Sequence, residues 1–191
     1  MFERYTEKAR RTIFFARYEA SQFASGQIET EHLLLGLLRE DKTLFKYFSR
    51  ATNSESVRNE LFPNPQVNQP IPTSVDLKLS KTSKQVLKYA ADEADQLKHR
   101  HIGTEHLLLG LLREDNSPAA KVLRKYGAEL SSIRKKLELL PEEGATVTYA
   151  EVASRIRYAT ADTVEIHGSR FNTEYIHEAV KTMPTVQLAL A

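Results

Sequence analysis

Glutamate followed by histidine stands twice at the head of a leucine-rich run. Glu31-His32 lies in TEHLLLGLLRED at residues 30–41, and Glu105-His106 lies in the same twelve letters at 104–115. A Glu/His pair suggests a metal site, but adjacent residues on a helix point about a quarter-turn apart or more. The two ligands of a zinc helix instead sit at i and i+4, on one face. No metal is therefore expected, and His32 and His106 read as helix-start histidines that pack and hydrogen-bond. His99 and His101 in HRHIG (99–103) face SGQIE in the first copy, so that segment reads as a solvated turn. No cysteine is present, which excludes a disulfide framework, thiol catalysis and thiolate metal ligands. No arrangement of nucleophile and base is legible, so no catalytic residue is assigned and an enzyme is not expected. No G-x-x-x-x-G-K-[ST] phosphate loop occurs, and no cofactor is implied.

Composition narrows the partners. A formal charge of +2 over 191 residues is too mild for a nucleic-acid footprint. The basic runs KARR (8–11) and RKK (134–136) lie on expected helices with apolar partners, and read as solvated faces. The opening MFERYTEKARR has charges but no apolar core, so no secretory signal is expected, and no apolar run approaches a membrane span. A cytoplasmic or otherwise reducing compartment follows as the expectation.

The elements that carry the repeated motif are themselves repeated. Sliding residues 6–41 onto 80–115 adds the identities Ala16/Ala90, Glu19/Glu93, Ala20/Ala94, Gln22/Gln96 and Ile28/Ile102. Ile13, Ala16, Ala20 and Phe23, like Leu87, Ala90, Ala94 and Leu97, form the apolar stripe of an amphipathic helix. The dodecapeptide reads as the next helix, with Thr30 and Thr104 as caps and Glu31 and Glu105 at the positive end of the dipole. Gly36 and Gly110 inside it cost about 1 kcal/mol each relative to Ala, which suggests a neighbouring helix against the backbone. A third helix in the second copy starts at Ser117-Pro118 and stops at Gly127. Its counterpart in KTLFKYFSRATNS has less definite ends. SVRNEL (56–61) and SIRKKL (132–137) suggest a fourth. The expected fold is all-α: two pseudo-symmetric four-helix repeats, eight helices in all.

This gives a first repeat at 1–61, a Pro-rich linker at 62–76, a second repeat at 77–140 and an appendage at 141–191. The appendage is α+β in flavour. TYAE (148–151) suits a capping box opening a helix to about Tyr158, DTVEIHG (162–168) a strand and turn, and NTEYIHEAVKTMP (172–184) a helix.

The paired TEHLLLGLLRED, each preceded by a helix with an A..EA pattern, resembles the double N-terminal repeat of Clp/Hsp100 unfoldases. The opening MFERYTEKARRTI looks most like the ClpC-type branch. The resemblance spans roughly residues 1–140 and implies an all-α module that recruits substrates and adaptors to an ATP-driven unfoldase. With no phosphate loop, the chain looks like a stand-alone version of that module. The resemblance further implies two phosphoarginine sites. The Thr of the family's opening falls on Thr6, its second-repeat equivalent on Ser80, and the Glu of the TEH motif on Glu31 and Glu105. The chemistry is coherent: a carboxylate pairs bidentately with a guanidinium, while a helix N-terminus with hydroxyls offers donors to phosphate. Capping alone accounts for Thr30 and Thr104, and in part for the glutamates. It does not require Thr6 and Ser80 at matched places. The expected function is therefore a non-catalytic interaction module of the Clp system, docking tagged substrates or adaptors. The alternatives are an accessory subunit on a Clp protease core, the N-terminal part of a full Clp ATPase, and an enzyme in the appendage using His167 or His177. Partners are expected to be proteins, with neither nucleic acid nor membrane.

Overall fold

The computed structural model describes residues 2–49, 51–63, 69–72 and 75–138, together with three strands at 156–159, 163–166 and 169–172. It divides into two units, Met1–Leu137 and Glu138–Ala191.

The first unit is helical and built twice. The first repeat runs α1 (Glu7–Gln22), β1 (Gln27–Ile28), α2 (Thr30–Glu40), a 3₁₀ helix (Lys42–Tyr47) and α3 (Ser54–Leu61). The second runs β2 (Lys78–Leu79), α4 (Lys81–Gln96), α5 (Thr104–Arg113), α6 (Pro118–Lys125) and α7 (Leu130–Glu138). Seven α-helices and one 3₁₀ helix thus make up the described part of this unit.

The small residues of the stripe set how close the helices come. Ala16 and Ala20, and their counterparts Ala90 and Ala94, are fully buried. A Cβ placed on Gly36 would lie 2.6 Å from the backbone nitrogen of Ala16 and the carbonyl of Thr12. One on Gly110 would lie 2.5 Å from the Val86 carbonyl. Each glycine lets the motif helix press its backbone onto the helix before it, which offsets the propensity cost. Leu33, Leu34, Leu37 and Leu38, with Leu107, Leu108, Leu111 and Leu112, fill the core around those crossings.

The third helices differ because their starts differ. Ser117 caps α6 by accepting the Ala120 N–H at 3.1 Å, and Pro118 takes the first turn. Gly127 follows with φ +81, a left-handed stop. The first repeat lacks that Ser-Pro start. There Asp41 accepts the Thr43 N–H at 3.0 Å, and the segment winds as a 3₁₀ helix instead.

The repeats are joined by short parallel bridges across the pseudo-twofold. Gln27 and Ile28 pair with Lys78 and Leu79. Tyr5 bridges Ile102 in parallel. Tyr5 is buried and donates its hydroxyl to the Leu87 carbonyl at 3.4 Å, while Arg4 pairs with Asp95 at 2.7 Å.

Two expectations need correction. Thr30 and Thr104 are the first residues inside their helices, and Glu29 and Gly103 hold the cap positions. The Thr30 hydroxyl donates to Glu31 at 2.7 Å and that of Thr104 to Asp41 at 2.7 Å, so neither caps its helix. A cap of a different kind is used: His32 Nδ1 accepts the Glu29 N–H at 3.0 Å, and His106 Nδ1 that of Gly103 at 2.9 Å. An imidazole three residues in thus takes the place of the acid of a capping box, holding the N–H just outside the helix.

In the second unit, β3 (Ile156–Ala159), β4 (Thr163–Ile166) and β5 (Ser169–Asn172) form an antiparallel meander. The strand expected in DTVEIHG is β4. The helix expected to run to about Tyr158 is replaced over its last residues by β3, where Ile156 and Tyr158 favour a pleated surface. Its start at 148–151, and the helix expected at 172–184 beyond Asn172, lie outside the described residues.

Candidate functional site

The bridges decide which residues meet. The Thr6 N–H donates to the Ile102 carbonyl at 3.0 Å, and the Ile102 N–H to the Arg4 carbonyl at 2.7 Å. The start of α1 therefore lies beside the segment that leads into α5. By the same geometry the Ser80 N–H donates to the Ile28 carbonyl at 3.1 Å, setting the start of α4 beside the segment that leads into α2. Thr6 belongs with the segment of Glu105, and Ser80 with that of Glu31. Each cluster draws on both repeats.

Thr6 and Ser80 act first as caps. Thr6 Oγ1 accepts the Ala9 N–H at 3.2 Å, and Ser80 Oγ that of Ser83 at 3.1 Å. Ser80 also donates to Ser83 Oγ at 3.2 Å and is buried, whereas Thr6 is half-buried. Glu31 and Glu105 are half-buried in the first turns of α2 and α5. Among the described residues neither forms an ion pair; their contacts are the neighbouring hydroxyls, Thr30 at 2.7 Å and Thr104 at 3.2 Å. Each is a carboxylate able to take a cation, set near two helix N-termini whose partial positive charge suits an anion.

Sequence reasoning missed Asp41. It is buried in the first repeat and accepts hydroxyl bonds from Thr43 at 2.6 Å and, across the pseudo-twofold, from Thr104 at 2.7 Å. Burial opposes its ionisation, but the bonds from Thr43 and Thr104 and the charge of Lys8 outweigh that and hold the carboxyl below its usual range. Its counterpart Asp115 is exposed and pairs with Arg124 instead. The two clusters are consequently unequal. The Thr104 hydroxyl lies between two carboxylates, and that of Thr30 serves Glu31 alone.

The two histidines have unlike surroundings. His32 is buried beside Phe62, which stacks on Phe23 at 3.8 Å between centroids. Burial pushes its pKa down to about 4, against a small opposing pull from Glu29. His106 Nε2 lies 2.9 Å from Nδ1 of His99. Since His106 Nδ1 already accepts the Gly103 N–H, its proton sits on Nε2 and is donated to His99. His99 is thus part of the packing around α5, correcting the expectation of a wholly solvated turn. That proton placement also leaves His106 no lone pair for a metal ion between the rings. No group of three or more metal-ligating side chains occurs among the described residues.

A second pair of acids shared by the repeats is structural. Glu93 is fully buried and accepts from Arg113 at 3.0 Å and from Arg134 at 2.7 and 2.5 Å. Glu19 lies 2.7 Å from Arg58 and 3.6 Å from Arg39. Each ties its helix to the end of the next and to the fourth helix of its repeat.

The Clp repeat (R) N-terminal domain family matches residues 4–68 and 78–177. The chain is 35% identical over 188 residues to the chloroplastic chaperone protein ClpC of Pisum sativum, covering 97% of this chain and 20% of that one. It is 33% identical over 167 residues to ClpC/MecB of Bacillus subtilis (strain 168), described as a negative regulator of genetic competence, covering 86% and 20%. The chain thus spans about a fifth of the length of these curated relatives. Among solved structures, the N-terminal domain of the caseinolytic protease associated chaperone ClpD from Arabidopsis thaliana aligns with TM-score 0.58 and 28% identity, over 72% of this chain and 96% of that one. No helix among the described residues is long and apolar enough to cross a membrane.

Proposed function

The chain belongs to the Clp repeat N-terminal domain family, and from that premise we propose that it is a non-catalytic docking module, receiving tagged substrate proteins or adaptors for a Clp chaperone. The tag it would read is phosphoarginine, a group that carries a cation and an anion side by side. Glu31 and Glu105 would take the guanidinium, and the starts of α4 and α1, with Ser80 and Thr6, the phosphoryl oxygens. The observation that supports this reading is the state of the two glutamates. Both are half-buried without an ion pair among the described residues, whereas the buried acids Glu19 and Glu93 are paired with arginine and buried Asp41 is held by two threonine hydroxyls. A carboxylate partly withdrawn from water gains from a cation, and a ligand that brings one would meet little competition.

The relatives carry this fold within chaperones about five times its length, which supports a recruiting role beside a motor. Calorimetric titration of free phosphoarginine into the natural chain, beside a Glu31→Ala/Glu105→Ala variant, tests the proposal. The expected result is saturable binding with one ligand per glutamate, abolished in the variant. Absence of heat with the natural chain, or binding that the variant retains, overturns it.

A further inference from the structure

The duplication supplies an internal comparison that isolates one surface. Positions 74 residues apart in α1 and α4 occupy matching places, and three of those that face the core are identical: Ala16/Ala90, Ala20/Ala94 and Glu19/Glu93. On the outward face two positions change character. Phe14 and Tyr18 of α1 correspond to Lys88 and Asp92 of α4. Phe14 is 67% exposed and Tyr18 41%. The same helix in the same packing is thus made with two charges in the second repeat, so the fold does not call for aromatics there.

Phe14 and Tyr18 stand one turn apart on α1. Among the described residues, Val75 is the third large hydrophobic left exposed, at 45%. Arg17 of α1 holds it nearby, donating Nη2 to the Val75 carbonyl at 2.7 Å. Phe14 meets Phe15 edge-on at 5.7 Å, and the Arg39 guanidinium lies 4.5 Å from the Phe15 ring and 4.8 Å from that of Tyr18. Rigid aromatics flanked by arginine are the composition of protein-binding hot spots. Basic side chains flank the two rings, while the exposed Asp76 stands next to Val75. Arg10, a turn before Phe14, is exposed and forms no ion pair among the described residues, while the nearby acids Glu7 and Glu40 both pair with Arg11.

We propose that the outward face of α1, centred on Phe14 and Tyr18, docks a peptide segment of a partner protein in which an apolar residue is flanked by carboxylates. The apolar residue packs against the two rings and Val75, and the carboxylates meet Arg10 and its neighbours. None of Thr6, Glu31, Ser80 and Glu105 takes part, so this surface stands or falls apart from any phosphoarginine site.

The test uses the whole chain and a fluorescein-labelled twelve-residue peptide with a central Phe-Leu pair flanked by glutamates, read by anisotropy. A Phe14→Lys/Tyr18→Asp variant carries the residues of the second repeat, which that repeat shows to be compatible with the helix. Its helical circular dichroism and melting midpoint are expected to match the natural chain. Peptide binding is expected to be saturable with the natural chain, weaker by about tenfold or more in the variant, and weaker again for a peptide with lysines in place of glutamates. Arg10→Glu should weaken the glutamate peptide while leaving an uncharged analogue unaffected. Failure of the glutamate peptide to bind at millimolar concentration overturns the proposal. So does equal binding by the double variant, or a preference for the lysine peptide. A dimer in sedimentation velocity that the double variant abolishes also overturns it, assigning the face to a second copy of the chain.

Discussion

Replacing Glu93 by alanine should be the most damaging single truncation of a polar side chain in the helical unit. Glu93 is 0% exposed and receives three hydrogen bonds from Arg113 and Arg134, at 3.0, 2.7 and 2.5 Å. Removing one partner of a buried ion pair costs about 3–5 kcal/mol, because the other charge is left without compensation. Here both arginine side chains are partly exposed, 23% and 34%, so the freed guanidiniums turn to water and recover part of that cost. The loss should then be about 3 kcal/mol, a fall in melting midpoint of about 6–12 °C for a chain of this size. Glu19 supplies the control. Its arginines are 47% and 41% exposed, and one of them lies 3.6 Å away, so Glu19→Ala should lose only about 2 kcal/mol. Urea unfolding followed by circular dichroism at 222 nm measures both. A loss below about 1 kcal/mol for Glu93→Ala, or a larger loss for Glu19→Ala, would refute the argument that burial and bond number set the cost.

Two further perturbations follow from the motif helices. His32 is held neutral in the folded chain, with a pKa of about 4 against an ordinary 6.5, so the unfolded chain binds the extra proton between those values. Stability from this group is complete above pH 6.5 and falls as pH drops towards 4, by roughly 3 kcal/mol in all. Urea midpoints measured from pH 7 to 4 should show that decline, and a His32→Asn variant should flatten it; an equal decline in the variant would exclude His32 as its source. Thr104→Val removes the hydroxyl bond to buried Asp41 and should cost about 1–2 kcal/mol, whereas Thr30→Val, losing a bond to half-buried Glu31, should stay within about 0.5 kcal/mol. Equal losses in the two variants would show that the inequality between the repeats carries no energy.

What the sequence made legible was local. A period of 3.6 found the stripes, and the glycine in the middle of LLLGLL announced a close helix crossing before any neighbour was known. The Ser117-Pro118 start and Gly127 stop were read correctly because each acts through its own backbone. The caps of α2 and α5 were misread because threonine before a leucine run is a common cap, whereas an imidazole reaching back from three residues inside has no comparable composition signal. Ala24 and Lys98, matched positions in left-handed conformation after α1 and α4, were invisible for the same reason, since neither is glycine. In the candidate site, residue types were readable and partnerships were not. Thr6 and Glu105 are far apart in sequence, and their segments meet through the Tyr5–Ile102 bridge and the bonds Arg4 makes to the carbonyls of His99 and Arg100. Asp41 closes the repeated motif as ordinary surface charge, yet it is a buried acceptor whose second oxygen is met by Thr104 of the other repeat.

The crossed bridges carry a consequence for how small the working unit can be. In symmetry terms they form an isologous contact, the kind a twofold dimer makes, written here into one chain. Ile28 serves the start of α4, and Ile102 serves the start of α1. A repeat cut free of its partner would keep a hydroxyl and a carboxylate, but from two different clusters, and would own neither whole. The fused pair is therefore the indivisible unit: a hinge opened between the halves would dismantle both clusters together.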